Sequence, residues 1–222
     1  SSSVLDTERV LLLSLSSCQQ CLVMDDELNI LNISRNNRVI TPVPRRADLE
    51  AEDPELTSLK SSLESTEIVN ALINCTKTMD QAKAVLTFVN AITEKTLRST
   101  VTLTAARGRG KSAALGLAMA AAVAFGYSNI FVTSPTPENL NTLFEFIFKG
   151  FDALDWKEHL DYELVQSTNP QWKDCIVRVN IFRSHRQTIQ YIQPTDAVKL
   201  GQAELVVIDE AAAIPLPQVK SL

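Results

Sequence analysis

The chain has no long hydrophobic run, no basic surplus and few metal-ligating side chains, and each shortage closes a class of function. Its longest apolar stretch, Ala113–Phe125, is thirteen residues and rich in Ala. A bilayer span needs about twenty, so no membrane partner is predicted and the stretch reads as a buried helix. Lys and Arg number 21 against 26 Asp and Glu, a net charge of −5. The chain as a whole is no polycation, and nucleic-acid contact has to come from a local patch. Two histidines and four cysteines leave little for a zinc site. Cys18-Gln19-Gln20-Cys21 is a lone C-x-x-C, with neither a second pair nor histidines at ligand spacing. It reads as structural thiols in a reducing compartment. No secretory signal is visible, because Val10–Leu15 is too short and has no cleavage site behind it. The chain opens on Ser1 rather than Met and stops at Leu222. A piece of something larger is therefore expected.

What is present is a core and an order. Apolar residues make up 45% of the chain, as in an ordinary globular protein. Residues 1–33 read as the end of an N-terminal α/β domain. A helix is predicted over Glu8–Leu15, a strand at Cys21–Met24, a turn at Asp25-Asp26-Glu27, and a return strand alternating Leu28, Ile30 and Ile33. Residues 34–65 change character: Pro42, Pro44 and Pro54 break regular structure, and acidic residues run from Asp48 to Glu55. This reads as an exposed, flexible linker, a solvated spacer by default and an acidic interaction tail as the alternative.

From residue 66 to 222 helix and strand signals alternate. Thr78–Thr93 is amphipathic, with Ala82, Val85, Leu86, Val89 and Ile92 on one face. Strands are predicted at Val101–Thr104, Asn129–Thr133, Cys175–Phe182, Gln187–Ile192 and Glu204–Ile208. A helix is predicted over Lys111–Phe125. Another starts at Thr136-Pro137, with Thr136 as N-cap, and buries Leu140, Leu143, Phe144, Ile147 and Phe151. Phe146 and Phe148 fall off that stripe, and a core role is favoured over base stacking. The fold class predicted is α/β with a mostly parallel sheet.

Ala105-Ala106-Arg107-Gly108-Arg109-Gly110-Lys111-Ser112 matches the second half of the phosphate-loop pattern G-x-x-x-x-G-K-[ST]. In such a loop backbone N–H groups wrap a polyphosphate, the lysine reaches the outer phosphates, and the hydroxyl sits on Mg²⁺. Ala105 stands where a glycine normally allows an unusual turn, so Gly108 is expected to supply that freedom. The following helix would aim its N-terminal partial charge at the phosphates. Arg107 and Arg109 read equally well as phosphate or domain contacts and as solvated side chains. The apolar strand Leu205–Ile208 ends in Asp209-Glu210. Asp209 is expected to hold Mg²⁺ through water beside Ser112, and Glu210 to orient and deprotonate the attacking water. Lys111, Asp209 and Glu210 are thus the catalytic candidates. No Asn-Lys-x-Asp guanine-reading motif occurs. Gln81 closes a Thr78-Met79-Asp80-Gln81 capping box, and its carboxamide also suits the adenine edge; the two roles are compatible. Arg178, Arg183, His185 and Arg186 crowd the predicted hairpin, either to meet phosphates or as a solvated surface.

Asp209-Glu210-Ala211-Ala212 looks like the D-E-A-x box of helicase-type ATPases. Thr133-Ser134-Pro135-Thr136 resembles their nucleic-acid-contacting motif, and Gln81 matches the upstream glutamine of superfamily 1 helicases. More closely, Thr104–Leu117, Gly126–Pro135 and Val198–Pro215 resemble eukaryotic RNA cytidine acetyltransferases, whose loop has alanine at its entry. The resemblance implies a RecA-like P-loop module that binds ATP and Mg²⁺. Gln81 would contact adenine, and the nucleotide loop would run through Gly108, Arg109, Gly110, Lys111, Ser112, Ala113, Ala114, Leu115, Gly116 and Leu117. Ser112 and Asp209 would serve the metal. It further implies a full-length nucleolar enzyme that makes N4-acetylcytidine in 18S ribosomal RNA and tRNA from acetyl-CoA and ATP. Small-subunit assembly factors and a THUMP-domain tRNA adaptor would be its partners, a homodimer being left open. The acetyl-CoA site would lie beyond Leu222. A superfamily 1 RNA helicase without acetyltransferase activity and a module that senses ATP without hydrolysing it are the alternatives.

Overall fold

Asp53-Pro54-Glu55 starts a helix inside the stretch expected to be a linker. The Asp53 carboxylate accepts the Glu55 N–H at 3.1 Å, Pro54 brings a preset φ, and Glu55 sits in the first turn. The resulting α1, Pro54–Ser62, buries Leu56 in the core. The linker reading is therefore corrected over residues 54–62: the acidic run that suggested a solvated spacer ends in a helix cap. The computed structural model describes residues 24–29, 53–94, 99–172 and 174–222. The helix expected at Glu8–Leu15, the Cys18–Cys21 pair, Ile30, Ile33 and residues 34–52 lie outside the described residues. The chain divides into two units, Ser1–Ala51 and Glu52–Leu222. In the first, Asp25 makes the expected turn. Its carboxylate accepts the Asn29 N–H at 2.7 Å and the Glu27 N–H at 3.1 Å, and the Asn29 bond above all holds its carboxyl below the usual range.

The second unit continues with α2 (Glu67–Asn74), α3 (Met79–Glu94), α4 (Lys111–Ala124), α5 (Asn141–Ala153) and α6 (Leu216–Ser221). Its strands are β1 (Asn129–Thr133), β2 (Tyr162–Gln166), β3 (Ile176–Ile181), β4 (Gln187–Tyr191) and β5 (Leu205–Ile208). They form one five-stranded sheet in the order β2-β3-β4-β1-β5. β1 runs parallel to β4 and β5, while β2-β3 and β3-β4 are antiparallel. The expectation of a mostly parallel sheet is corrected to a mixed one. The cause is local: Phe182–Arg186 is too short a link for a crossover, so β3 and β4 have to pair as a hairpin. β2 was not anticipated. The strand expected at Val101–Thr104 is also corrected. It joins no ladder among the described residues, and Val101, Thr102 and Thr104 are exposed. Extended backbone without a paired neighbour gains none of the hydrogen bonds that define a strand.

α4 is the axle of the unit. Ten of its residues, from Ala113 to Val123, are buried, which is why an Ala-rich run without a polar face folds here. α3 packs Ala82, Val85, Val89 and Ile92 inward, as its periodicity predicts, with Leu86 half-buried beside them. The expected stripe of α5 is also buried, but its start differs. Pro137–Leu140 forms a 3₁₀ turn, and the Thr136 side chain makes no cap. Ser134 Oγ instead donates to Thr136 O at 2.6 Å. Phe148 stacks on Tyr162 with ring centroids 5.7 Å apart, so it serves the core. Among the described residues no helix is long and apolar enough to cross a membrane. Cys75 and Cys175 are free, and burial pushes both thiols up; such thiols are slow nucleophiles.

α4 meets α5 through Gly116. A methyl at that position would lie 2.5 Å from Leu143 O and 2.9 Å from Phe146 Cβ. Alanine is about 1 kcal/mol the better helix former, yet here it would push two backbones apart. Gly116→Ala is therefore expected to destabilise the protein by about 1–3 kcal/mol despite its propensity gain, read as a lower midpoint in urea unfolding.

Candidate functional site

Helix and strand directions set where the sequence-predicted residues lie along the sheet. Gln187, the first residue of β4, donates from Nε2 to Val123 O at 2.8 Å and Tyr127 O at 2.7 Å. These bonds pin the C-terminal end of α4 at the amino edge of β1 and β4. A helix of 14 residues runs back about 20 Å, so its N-terminus points to the carboxyl edge. There β1 and β5 end side by side in Thr133 and Asp209, and Asp209 N–H donates to Thr133 O at 3.0 Å. The crevice outside carboxyl strand ends is where open α/β sheets hold ligands.

The 105–112 loop enters α4 through two left-handed glycines, Gly108 at φ +76° and Gly110 at φ +78°. Ala105 is not among the positive-φ residues, so the freedom lost at the alanine is supplied further along, as expected. Gly110 is the N-cap and offers no side chain. The first helical bond is Ala114 N–H to Gly110 O at 3.0 Å. The N–H groups of Lys111, Ser112 and Ala113 thus have no helical acceptor and face outward from the positive end of α4. Lys111 folds over its own loop, donating from Nζ to Ala105 O at 2.7 Å and Ala106 O at 3.0 Å. Both acceptors are neutral carbonyls, which an anion would outcompete. Arg107 and Arg109 are exposed. Ala113, Ala114, Gly116 and Leu117 are buried and Leu115 half-buried; their side chains build the core, and what this stretch offers a ligand is the backbone of its first turn.

Gln81 joins this loop. Its Nε2 would stand 1.9 Å from a β-carbon at Gly110, so a side chain there would displace the carboxamide, and the φ of +78° disfavours one in any case. Its Oε1 accepts the Lys77 N–H at 3.1 Å, and its own N–H reaches Thr78 Oγ1 at 3.3 Å. Thr78 makes its half of the expected capping box, while Gln81 Oε1 reaches one residue further back, to Lys77, and the same carboxamide borders the loop.

Asp209 is 6% exposed. Its Oδ1 accepts the Glu210 N–H at 3.0 Å, while Oδ2 is buried with no hydrogen-bond partner among the described residues. Thr133 Oγ1 beside it is orphaned in the same way. Buried polar atoms are nearly always satisfied, so an unpartnered carboxylate oxygen at a strand end fits a cation or a cation-bound water. Glu210 stands in the left-handed region at φ 51°, ψ 39°, a strained position for a non-glycine residue. Its Oε2 accepts from Asn139 Nδ2 at 3.0 Å. Sequence reasoning missed Asn139. A polar amide in the turn after β1 is a weak signal, and its partner lies 71 residues away.

The basic cluster does not hold together. Arg183, His185 and Arg186 sit in the β3–β4 turn, at the amino edge of β4 and away from Asp209. Arg183 pairs with Asp161 at 3.5 Å and lies over Trp156, and His185 bonds Ser128 and Ser184. Arg178 is separate, donating to Gln190 at 2.8 Å and lining a cavity with Trp172, Tyr191 and Lys199.

The class of domain the structure defines is a mixed α/β sheet with helices, carrying a glycine-turned loop ahead of α4 and a carboxylate pair at the end of β5. The family model that matches residues 102–222 is described as RNA cytidine acetyltransferase NAT10/TcmA, helicase domain. The RNA cytidine acetyltransferase of Homo sapiens is 67% identical over 95% of this chain and 21% of its own length. Those of Dictyostelium discoideum and Saccharomyces cerevisiae are 70% and 62% identical over 95% of the chain and 20% of their own lengths. The chain belongs to the RNA cytidine acetyltransferase family, and it spans about a fifth of the length of the relatives it matches.

Proposed function

We propose that this chain is the ATP-binding part of a RecA-like, helicase-type module that serves an RNA cytidine N4-acetyltransferase. The observation that carries the reading is the bare, buried Asp209 Oδ2 at the same sheet edge as the uncapped N-terminus of α4. The carboxylate suits a cation and the helix N-terminus suits an anion. Magnesium-bound ATP supplies both. The phosphates would lie against the N–H groups of Lys111, Ser112 and Ala113, with Lys111 Nζ moving from the Ala105 and Ala106 carbonyls to the outer phosphates. Gln81 would meet the adenine. Asp209 and Ser112 would hold Mg²⁺, whose chemistry there is to neutralise charge on the phosphates. No group of three His, Cys, Asp or Glu side chains gathers among the described residues, so phosphate and water oxygens would complete the coordination. Glu210 would orient the attacking water and take its proton.

The family name supports RNA and acetyl transfer as the setting of this ATP site. We infer that the full-length enzyme uses acetyl-CoA on 18S ribosomal RNA and tRNA, in the nucleolus, with small-subunit assembly factors and a THUMP-domain tRNA adaptor. Lys111→Ala tests the nucleotide site. Loss of a charge-assisted contact is expected to weaken magnesium-ATP binding by about ten- to a hundredfold, measured by calorimetry. Equal affinity would overturn the reading.

A further inference from the structure

We propose that Asn139 is the positioning residue of Glu210. The inference rests on the reading of Glu210 as the carboxylate that orients the attacking water. A glutamate at an exposed turn has three rotatable side-chain bonds and would sample many positions. Two features fix where this side chain starts. Its backbone is held left-handed at φ 51°, and its N–H is tied to Asp209 Oδ1 at 3.0 Å. Neither controls where the carboxylate ends. That control comes from Asn139, whose Nδ2 donates to Glu210 Oε2 at 3.0 Å.

Asn139 is itself well anchored. It lies in the 3₁₀ turn Pro137–Leu140, between the buried Pro137 and Leu140, and its N–H bonds Thr136 O at 3.1 Å. The arrangement suits water activation. An amide donor on Oε2 restrains that oxygen and leaves Oε1 open to accept a hydrogen from water. Asn139 touches neither water nor phosphate in this scheme and acts through Glu210 alone. Displacing a reacting group by about 1 Å can cost a hundredfold in rate, so a residue that only steadies it is expected to matter less than the base itself.

The test is RNA-stimulated ATP turnover in a full-length protein that contains this segment. Asn139→Ala is expected to lower kcat about tenfold and to leave KM for ATP within about twofold. Asn139→Asp keeps the size but removes the donor and is expected to do at least as much harm. Asn139→Gln restores an amide and should recover part of the loss. Adding Asn139→Ala to Glu210→Gln should cost little more than Glu210→Gln alone, because residues acting as one unit are not additive. Wild-type or raised kcat in Asn139→Ala, near-normal turnover in Asn139→Asp, or full additivity with Glu210→Gln would each overturn the proposal. Glu210→Gln alone separates the two readings. If it retains normal turnover, the water-orienting role fails and takes this inference with it. If it is inactive while Asn139→Ala is normal, only the inference fails.

Discussion

Glu210→Gln is expected to cut RNA-stimulated ATP turnover by roughly 10²–10³-fold while leaving magnesium-ATP affinity within about twofold. The substitution is nearly isosteric. A glutamine Oε1 still accepts from Asn139 Nδ2, now at 3.0 Å from Glu210 Oε2, so the side chain should keep its place. Its backbone position at φ 51° also survives, because the strain there belongs to the β-carbon and not to the carboxylate. What is lost is the basic oxygen that takes the proton from water. Binding should persist, because the phosphates are held elsewhere, at Lys111 and the first turn of α4. Single-turnover hydrolysis and equilibrium binding on the same preparation separate the two effects. Unchanged hydrolysis would remove Glu210 from the chemistry. Loss of both together would point instead to a damaged fold.

Much of this site was legible in the sequence because its parts are local. Gly110-Lys111-Ser112 names a loop and the helix that follows it, and Leu205–Ile208 followed by Asp209 names a strand and its end. The burial of α4 on all sides follows from a run with no polar face. The failures are tertiary. Val101–Thr104 has the composition of a strand, but pairing requires a neighbour that composition cannot supply. Asp53-Pro54-Glu55 carried a cap signal that the charge run concealed. The Asn139–Glu210 bond joins residues 71 apart that meet only because β1 and β5 are parallel neighbours, with Thr133 opposite Ile208. Arg178 and Arg183 are close in sequence yet serve different edges, because β3 carries the chain from one edge of the sheet to the other. Sequence proximity left a shared patch open as one reading, and strand direction sets Arg178 apart from the turn residues.

Asp209→Asn is expected to move stability and ligand response in opposite directions. The Asp209 carboxylate is buried, with Oδ1 occupied by the Glu210 N–H and Oδ2 without a hydrogen-bond partner among the described residues. A buried unsatisfied polar group costs about 1–3 kcal/mol, and more when charged. Asparagine keeps the carbonyl acceptor for Glu210 N–H and replaces the bare anionic oxygen with a neutral amide, which is cheaper to bury. The apo variant should therefore unfold no earlier than the wild type, and by about 1 kcal/mol later where the amide finds Thr133 Oγ1, the neighbouring orphan. Magnesium-ATP should reverse the order. A ligand at about a hundred times its Kd stabilises the wild type by about 2.7 kcal/mol, and most of that gain should vanish in the variant, since an amide is a poor partner for a hard divalent cation. Thermal unfolding with and without magnesium-ATP, and with ATP plus a chelator, reads all of these at once. A variant less stable in the apo state yet still responsive to magnesium-ATP would make Asp209 a structural residue. The opposite signs are the mark of a carboxylate kept at a cost for its ligand.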